Sequence, residues 1–389
     1  MFENLLSTPV QQFIADHERR DIATLALGQN PFPDIPFPLL LDQVSGKSKA
    51  KEKLPRWHQA AGIVYPARVS MEQASSQATA VYKSRLASGM SLIDLTGGFG
   101  VDDAYFAESF EKVLHCEREP ALSAIVEHNL KVLGLHNVSF FTGDSQEALK
   151  SRDHWDCIYI DPSRRHETKG KVFLLSDCDP DVTANLDTYF SRTHRVIVKA
   201  SPIMDISAAA AQLKNIAAIH IVALRNEVRE ILFDLHKGAS AYTIHTVNLE
   251  TSQAHWTFDP AIEPEPAISG PLKYLYEPNP AIMKSGGFGA LSRDFGLAKL
   301  HRHSHLYTSG DLMDFPGRVF QIDKIVPFNN HGRKELSALK KANIATRNFP
   351  LTVAELRKRL KIADGGNTYC FFTTGPDDEK IALICAKIG

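Results

Sequence analysis

The sequence predicts an α/β chain built on a doubly wound, seven-stranded sheet, parallel except for one antiparallel strand. A helical N-terminal region precedes the sheet and a small α+β domain follows it. Three observations predict this. Between residues 89 and 238 short apolar runs alternate with amphipathic stretches at helical spacing, the pattern of a parallel sheet covered on both faces. The last two apolar runs, 218–224 and 229–235, lie too close for a crossover, so one strand must be antiparallel. The end of the chain reads β-α-β-α-β-β over about 70 residues. The 389 residues, at roughly 150 per domain, predict two or three domains. Their expected spans are 1–88, 89–238, 239–317 and 318–389, the third being linker strands and a small segment.

The elements follow in order. Thr8-Pro9 suits a helix N-cap with proline at the first helical position. A second helix is expected from Ser70 or Met71 to about Ala87, ending before Gly89. SLIDLT (91–96), KVLHCE (112–117), VSFFTGD (138–144), DCIYID (156–161) and RVIVKA (195–200) read as strands. Residues 102–110 and 120–133 read as helices, the latter aligning Leu122, Ile125, Val126, Leu130 and Leu133 on one side. The proline-rich 261–271 marks a boundary, and two helices within 331–361 alternate with the strands of the tail.

Composition narrows the function. With 43% hydrophobic and 23% charged residues the chain is neither collagen-like, wholly disordered nor a disulfide-stapled miniprotein. No run approaches the roughly 18 apolar residues of a membrane span, and residues 1–21 do not read as a secretory signal. Cys116, Cys157, Cys178, Cys370 and Cys385 show no CxxC pairing, which predicts a reduced, cytoplasmic, zinc-free protein. The net charge of −1 hides an asymmetry: His331–Gly389 holds 11 Lys+Arg against 6 Asp+Glu, leaving 33 against 39 elsewhere. A basic tail on an acidic body hints at an anionic partner, although a solvated basic helix face reads the same way.

Chemistry concentrates at the ends of the strands. In LIDLTGGFGVDD (92–103) a strand ends at Asp94, turns through Thr96, Gly97, Gly98, Phe99 and Gly100, and enters a helix. Such a turn brings bare backbone and free N–H donors to a ligand. A nicotinamide-dinucleotide fingerprint would need glycine at 103, where Asp103 stands. An acid at the end of the first strand suits a ligand with a cationic, methionine-like end. Glu117, closing the second strand, suits both hydroxyls of a ribose. Asp144, before Ser145, suits an exocyclic amine or a helix N-cap. Asp161-Pro162 puts a carboxylate at the carboxyl edge of the fourth strand. Ser163, Arg164 and Arg165 follow at the cleft mouth, suited to phosphate or to pairing with Glu167 or Asp177.

These residues together resemble a class I S-adenosylmethionine-dependent methyltransferase. The finer resemblance is to a bacterial group in which that domain follows a helical region and precedes a ferredoxin-like segment and a THUMP-like domain. YPARVSMEQASSQATAVYKS (65–84), DLTGGFGVDD and DPSRR carry it. The resemblance implies that Asp94 to Gly100 hold the methionine moiety, Glu117 the ribose, and Asp144 with Ser145 the adenine. Asp161 and Pro162 would border the transferred methyl, with Asp161 as the catalytic acceptor. Two departures stand out: Thr96 replaces a glycine, and DPSR differs from the DPPY or NPPY of amino-methyltransferases, lacking the aromatic that stacks on a target base.

The expected activity is methyl transfer to structured RNA, tRNA or rRNA, by in-line displacement. The THUMP-like end would supply RNA contacts from Arg357 and Lys358. The alternatives are a protein or small-molecule substrate, or a non-catalytic cofactor- or RNA-binding protein. His301, His303 and His305 alternate but lack the companions of a metal site. Lys199, ending the fifth strand, either lines the cleft or packs its stem at the sheet edge, the latter being favoured, and SGGFG (285–289) is expected to form a turn.

Overall fold

Strands that are buried on both faces read as continuous apolar runs, and the central strands here follow that rule. In the computed structural model, which describes residues 2–164 and 174–388, β1 (Gly89–Asp94), β4 (Cys157–Ile160) and β5 (Arg195–Ala200) are almost wholly buried. The strands β2 (Phe110–Glu117) and β3 (Val138–Thr142), further out, alternate in exposure. All five pair in parallel, in the order β3-β2-β1-β4-β5. The hairpin is present as β6 (Ile216–Leu224) and β7 (Glu227–His236). Arg225 and Asn226 between them both have positive φ, 50° and 66°, as a two-residue turn matched to strand twist requires. Strand β7 runs antiparallel beside β5, completing the expected seven.

The sheet then continues where the sequence reading stopped. Strand β8 (Thr243–Leu249) pairs in parallel with β6, and β9 (Trp256–Phe258) pairs antiparallel with β8. The full order is β3-β2-β1-β4-β5-β7-β6-β8-β9, nine strands in place of seven. The added strands cover the backbone edge that β6 would otherwise leave bare.

The chain divides into two compact units, Met1–Ala217 with Glu230–Ala241, and Ala218–Arg229 with Tyr242–Gly389. In the first, the N-terminal helices pack directly on the sheet. Trp57, Tyr65 and Met71 share one core with Leu92, Phe106 and Tyr159, and each such buried apolar side chain contributes about 1.5–3 kcal/mol. The helix expected over 70–87 is broken: Arg68–Gln73 ends at Ala74, and Gln77–Ser84 restarts under an N-cap from Ser76. Serine competes for backbone donors and so favours such breaks.

In the second unit, β10 (Tyr274–Pro278), β11 (Ala298–Lys299), β12 (Tyr307–Ser309), β13 (Gly317–Pro327), β14 (Asn343–Thr346), β15 (Thr368–Thr374) and β16 (Lys380–Ile388) form one sheet. Its order is β11-β12-β10-β13-β16-β15-β14. The tail has the expected β-α-β-α-β-β order, with helices Asn330–Ser337 and Val353–Leu360. Buried Glu277 of β10 pairs with Arg347 at 2.6 Å and with Arg318. Among the described residues no helix is long and apolar enough to cross a membrane.

Candidate active site

The turn after β1 is shaped by its glycines and by the acid before it. Gly98 and Gly100 have φ of +55° and +68°, which glycine adopts without steric cost. A Cβ on Gly98 would meet only the Thr96 carbonyl oxygen, at 3.7 Å, so bare backbone there has open space beside it. Gly98 N–H donates to Glu117 Oε2 (3.1 Å), and Glu119 N–H donates to Oε1 (2.8 Å). A carboxylate has about four acceptor sites, so Glu117 keeps capacity for a diol while being fixed over the turn.

Asp94 departs from the expectation. Its carboxylate is 2% exposed and turns back into the loop, accepting from Thr96 N–H (2.7 Å) and Thr96 Oγ1 (3.0 Å). Thr96 Oγ1 in turn accepts from Asp161 N–H at 2.6 Å. Through Thr96 the acid thus ties the ends of β1 and β4 together. Burial, reinforced by Asp103 and Asp102, pushes Asp94 well above the usual carboxylate range. Asp103 is raised likewise by burial and by Asp102, while burial lowers its partner His115. The His115 Nδ1 to Asp103 Oδ2 distance is 2.6 Å. Phe99 buries its side chain in the core, leaving only its backbone at the turn. Asp144 caps the helix Ser145–Leu149 through Gln146 N–H (2.9 Å), and Ser145 is buried.

The carboxylate after β4 anchors a network that the sequence reading missed. Lys199 Nζ lies 2.6 Å from Asp161 Oδ2 and donates to Ser75 Oγ at 3.1 Å. Lys83, with no exposed surface, donates to both Glu230 oxygens at 2.7 Å and to Ser75 Oγ at 3.1 Å. Its Nζ also lies 3.2 Å from Asp102 Oδ1. Asp102 Oδ2 accepts from Ser75 Oγ and Tyr159 OH, both at 2.8 Å. Burial alone would raise the Asp102 carboxyl, but the charges of Lys83 and Lys199, with the hydrogen bonds from Tyr159 and Ser75, hold it below the usual carboxylate range. The carboxylates of Asp161, Asp102 and Glu230 raise Lys199 above the usual lysine range despite burial. Lys199 therefore pairs at its charged end with the strand-end acid, where the sequence favours stem packing over lining the cleft. The break between the two N-terminal helices is what turns Ser75 toward both lysines. The only sequence signals were a lysine at a helix end and the paired acids after the glycine turn.

The remaining expected residues scatter. Pro162 and Ser163 follow Asp161, with Ser163 exposed and pairing across to Asp179. The backbone of Arg164 pairs with Cys178, and Arg165, with Glu167, lies outside the described residues. Arg357 is engaged: it donates to the carbonyls of Ala342 (3.3 Å) and Ile362 (3.4 Å) and pairs with Asp364. That role closes a helix end, not an open contact surface. Lys358 is exposed on the same helix. His301 is bound to Asp378 (3.0 Å) and Asn348 (2.9 Å). Among the described residues no three His, Cys, Asp or Glu side chains are grouped to hold a metal. The SGGFG stretch joins two helices, and the N–H groups of its last residue, Gly289, and of the following Ala290 already meet the Glu263 carboxylate.

Comparison with known proteins adds to this geometry. Residues 7–165 match the family model for protein-L-isoaspartate (D-aspartate) O-methyltransferase. Residues 274–316 match a ferredoxin-like domain and 317–387 a THUMP domain-like model. A protein of Porphyromonas gingivalis W83, solved as a candidate methyltransferase, is 31% identical and superposes with a TM-score of 0.89, covering 100% of this chain and 99% of its own. Precorrin 8w decarboxylase of Methanobacterium thermoautotrophicum, at 21% identity and TM-score 0.26, covers 33% of this chain and 64% of its own. No curated protein matches the chain. From the full-length likeness, the family models and the glycine turn with its two strand-end acids, the chain belongs to the class I S-adenosylmethionine-dependent methyltransferases, in the group that carries a C-terminal THUMP-like domain.

Proposed function

We propose that the protein methylates structured RNA, tRNA or rRNA, with Asp161 beside the target atom. The observation that carries the RNA reading is a groove of about 490 Å³ in the THUMP-like part. It is lined by Asn330, Arg333, Lys334, Ser337, Arg359 and Leu360. Three cations and two polar side chains along one groove suit a phosphate backbone. Lys358 is exposed on the helix that carries Arg359, whereas Arg357 donates to the Ala342 and Ile362 carbonyls. S-adenosylmethionine supplies an electrophilic methyl on a sulfonium. Glu117 would hold its ribose, the backbone at Thr96–Gly100 its methionine end, and Asp144 and Ser145 its adenine. The open space beside Gly98, next to an acceptor with spare capacity, fits that group. Asp161 and Pro162 would then border the methyl, and Ser163 the substrate.

The test is transfer of labelled methyl from S-adenosylmethionine to RNA from cells lacking the protein. Reversing Arg333, Lys334 and Arg359 to glutamate should abolish salt-dependent RNA binding. Deleting residues 320–389 is a poorer test, because it strips strands from a sheet shared with β10. The match over 7–165 favours a second reading, methyl transfer to a protein carboxylate. Label in protein and none in RNA would select it.

A further inference from the structure

The surroundings of Asp161 carry information about the atom that receives the methyl. We propose that this atom is a hydroxyl oxygen, the 2′-hydroxyl of a ribose, with Asp161 accepting its proton and Lys199 as the positioning residue behind it. The inference rests on the RNA reading above and narrows it.

The argument is electrostatic. A neutral nitrogen gains positive charge as it attacks a methyl carbon, so a fixed ammonium nearby opposes the reaction. A hydroxyl behaves the other way: it loses a proton and its oxygen gains negative character, which an ammonium stabilises. Lys199 Nζ is such a cation, 2.6 Å from Asp161 Oδ2. It cannot swing away, because Ser75 Oγ holds it at 3.1 Å and Ser75 is itself bonded to Asp102 and Lys83. Asp161, with Asp102 and Glu230 behind it, keeps Lys199 charged. Charges fixed in advance cost no reorganisation during the reaction. The side chain of Asp161 is 39% exposed against 12% for Lys199, so the carboxylate is the open member of the pair. Pro162 and Ser163 after it offer no aromatic face for the stacking that an extruded base needs.

The step balances. A lone pair of the hydroxyl oxygen forms the O–C bond as the C–S bond breaks, and that electron pair stays on sulfur to give the thioether. The hydroxyl proton passes to Asp161 Oδ1 and then to water.

The experiment uses the full chain, labelled methyl donor and RNA from cells lacking the protein, followed by alkaline hydrolysis. A 2′-O-methyl blocks cleavage of its neighbouring phosphodiester, so the label should appear in alkali-stable dinucleotides. Label in base-modified mononucleotides would overturn this proposal and leave the RNA reading standing. No label in RNA would overturn both. Lys199→Met should lower labelling at least about 100-fold and Lys199→Arg should restore much of it, while calorimetric affinity for S-adenosylhomocysteine stays within about twofold in both. Loss of that affinity in Lys199→Arg would assign Lys199 a role in cofactor binding or architecture, and full labelling by Lys199→Met would leave it no role in the reaction; either overturns the positioning role.

Discussion

Lys83→Met is the sharpest perturbation of the buried network. The lysine has no exposed surface and Glu230 is 2% exposed, so methionine would leave the Glu230 carboxylate without its cation in a site closed to water. Asp102 would still have Lys199, Ser75 and Tyr159, which concentrates the loss on Glu230. Removing one member of a buried pair costs about 3–5 kcal/mol. For a unit of this size that lowers the melting temperature by roughly 6–20 °C. Guanidinium unfolding followed through Trp57, which shares the core of this unit, reads the change. Replacing both partners, Lys83→Met with Glu230→Leu, should recover most of it, since an apolar pair of similar volume removes the stranded charge. A single variant that costs under about 1 kcal/mol, or a double variant as unstable as the single, would refute the reasoning.

Other outcomes follow from the same geometry. Gly97→Ala would put a Cβ 2.2 Å from Cε1 of the buried His115 ring, and should destabilise by about 1–3 kcal/mol and weaken S-adenosylhomocysteine binding by calorimetry. Asp102 is held below the usual carboxylate range, so its contribution is complete above the unfolded value near 3.8 and is lost as pH falls further; Asp102→Asn should flatten the acid limb of the stability curve. His305, half-buried beside Lys299, is pushed down to about 4. It should titrate by NMR near that value, its neutral form adding stability above pH 6.5 that is lost on acidification towards 4. Arg357→Met should loosen the THUMP-like part to denaturant and leave the salt slope of RNA binding unchanged, whereas Arg359→Glu should reduce that slope by about one unit or less.

The sequence made the sheet legible because its central strands are buried on both faces and leave continuous apolar runs. The hairpin was equally plain, since four residues cannot cross a sheet. Strands β8 and β9 escaped: Thr243–Leu249 alternates weakly and carries His245 and Asn248, and nothing local says that it will extend an existing edge. At the site, Glu117 stands over the glycine turn, where the resemblance put a ribose. Asp94 lies under that turn instead, because a threonine at 96 offers two donors to its carboxylate. Lys83 and Glu230 could not be read as partners, being 147 residues apart in the chain and joined only by folding. Arg357 reads as part of a basic face, and the structure adds bonds the sequence did not signal, to the Ala342 and Ile362 carbonyls and the Asp364 carboxylate.

The cation that neutralises Glu230 on β7 comes from a helix that ends before β1 begins. A truncated enzyme starting at Gly89 would retain every strand-end acid, yet its interior would contain a naked carboxylate and Lys199 would lose its serine tether. A piece that keeps this network intact must therefore start ahead of Ser75. Trimming the leading helices as dispensable would remove Ser75 and Lys83 from the network behind Asp161.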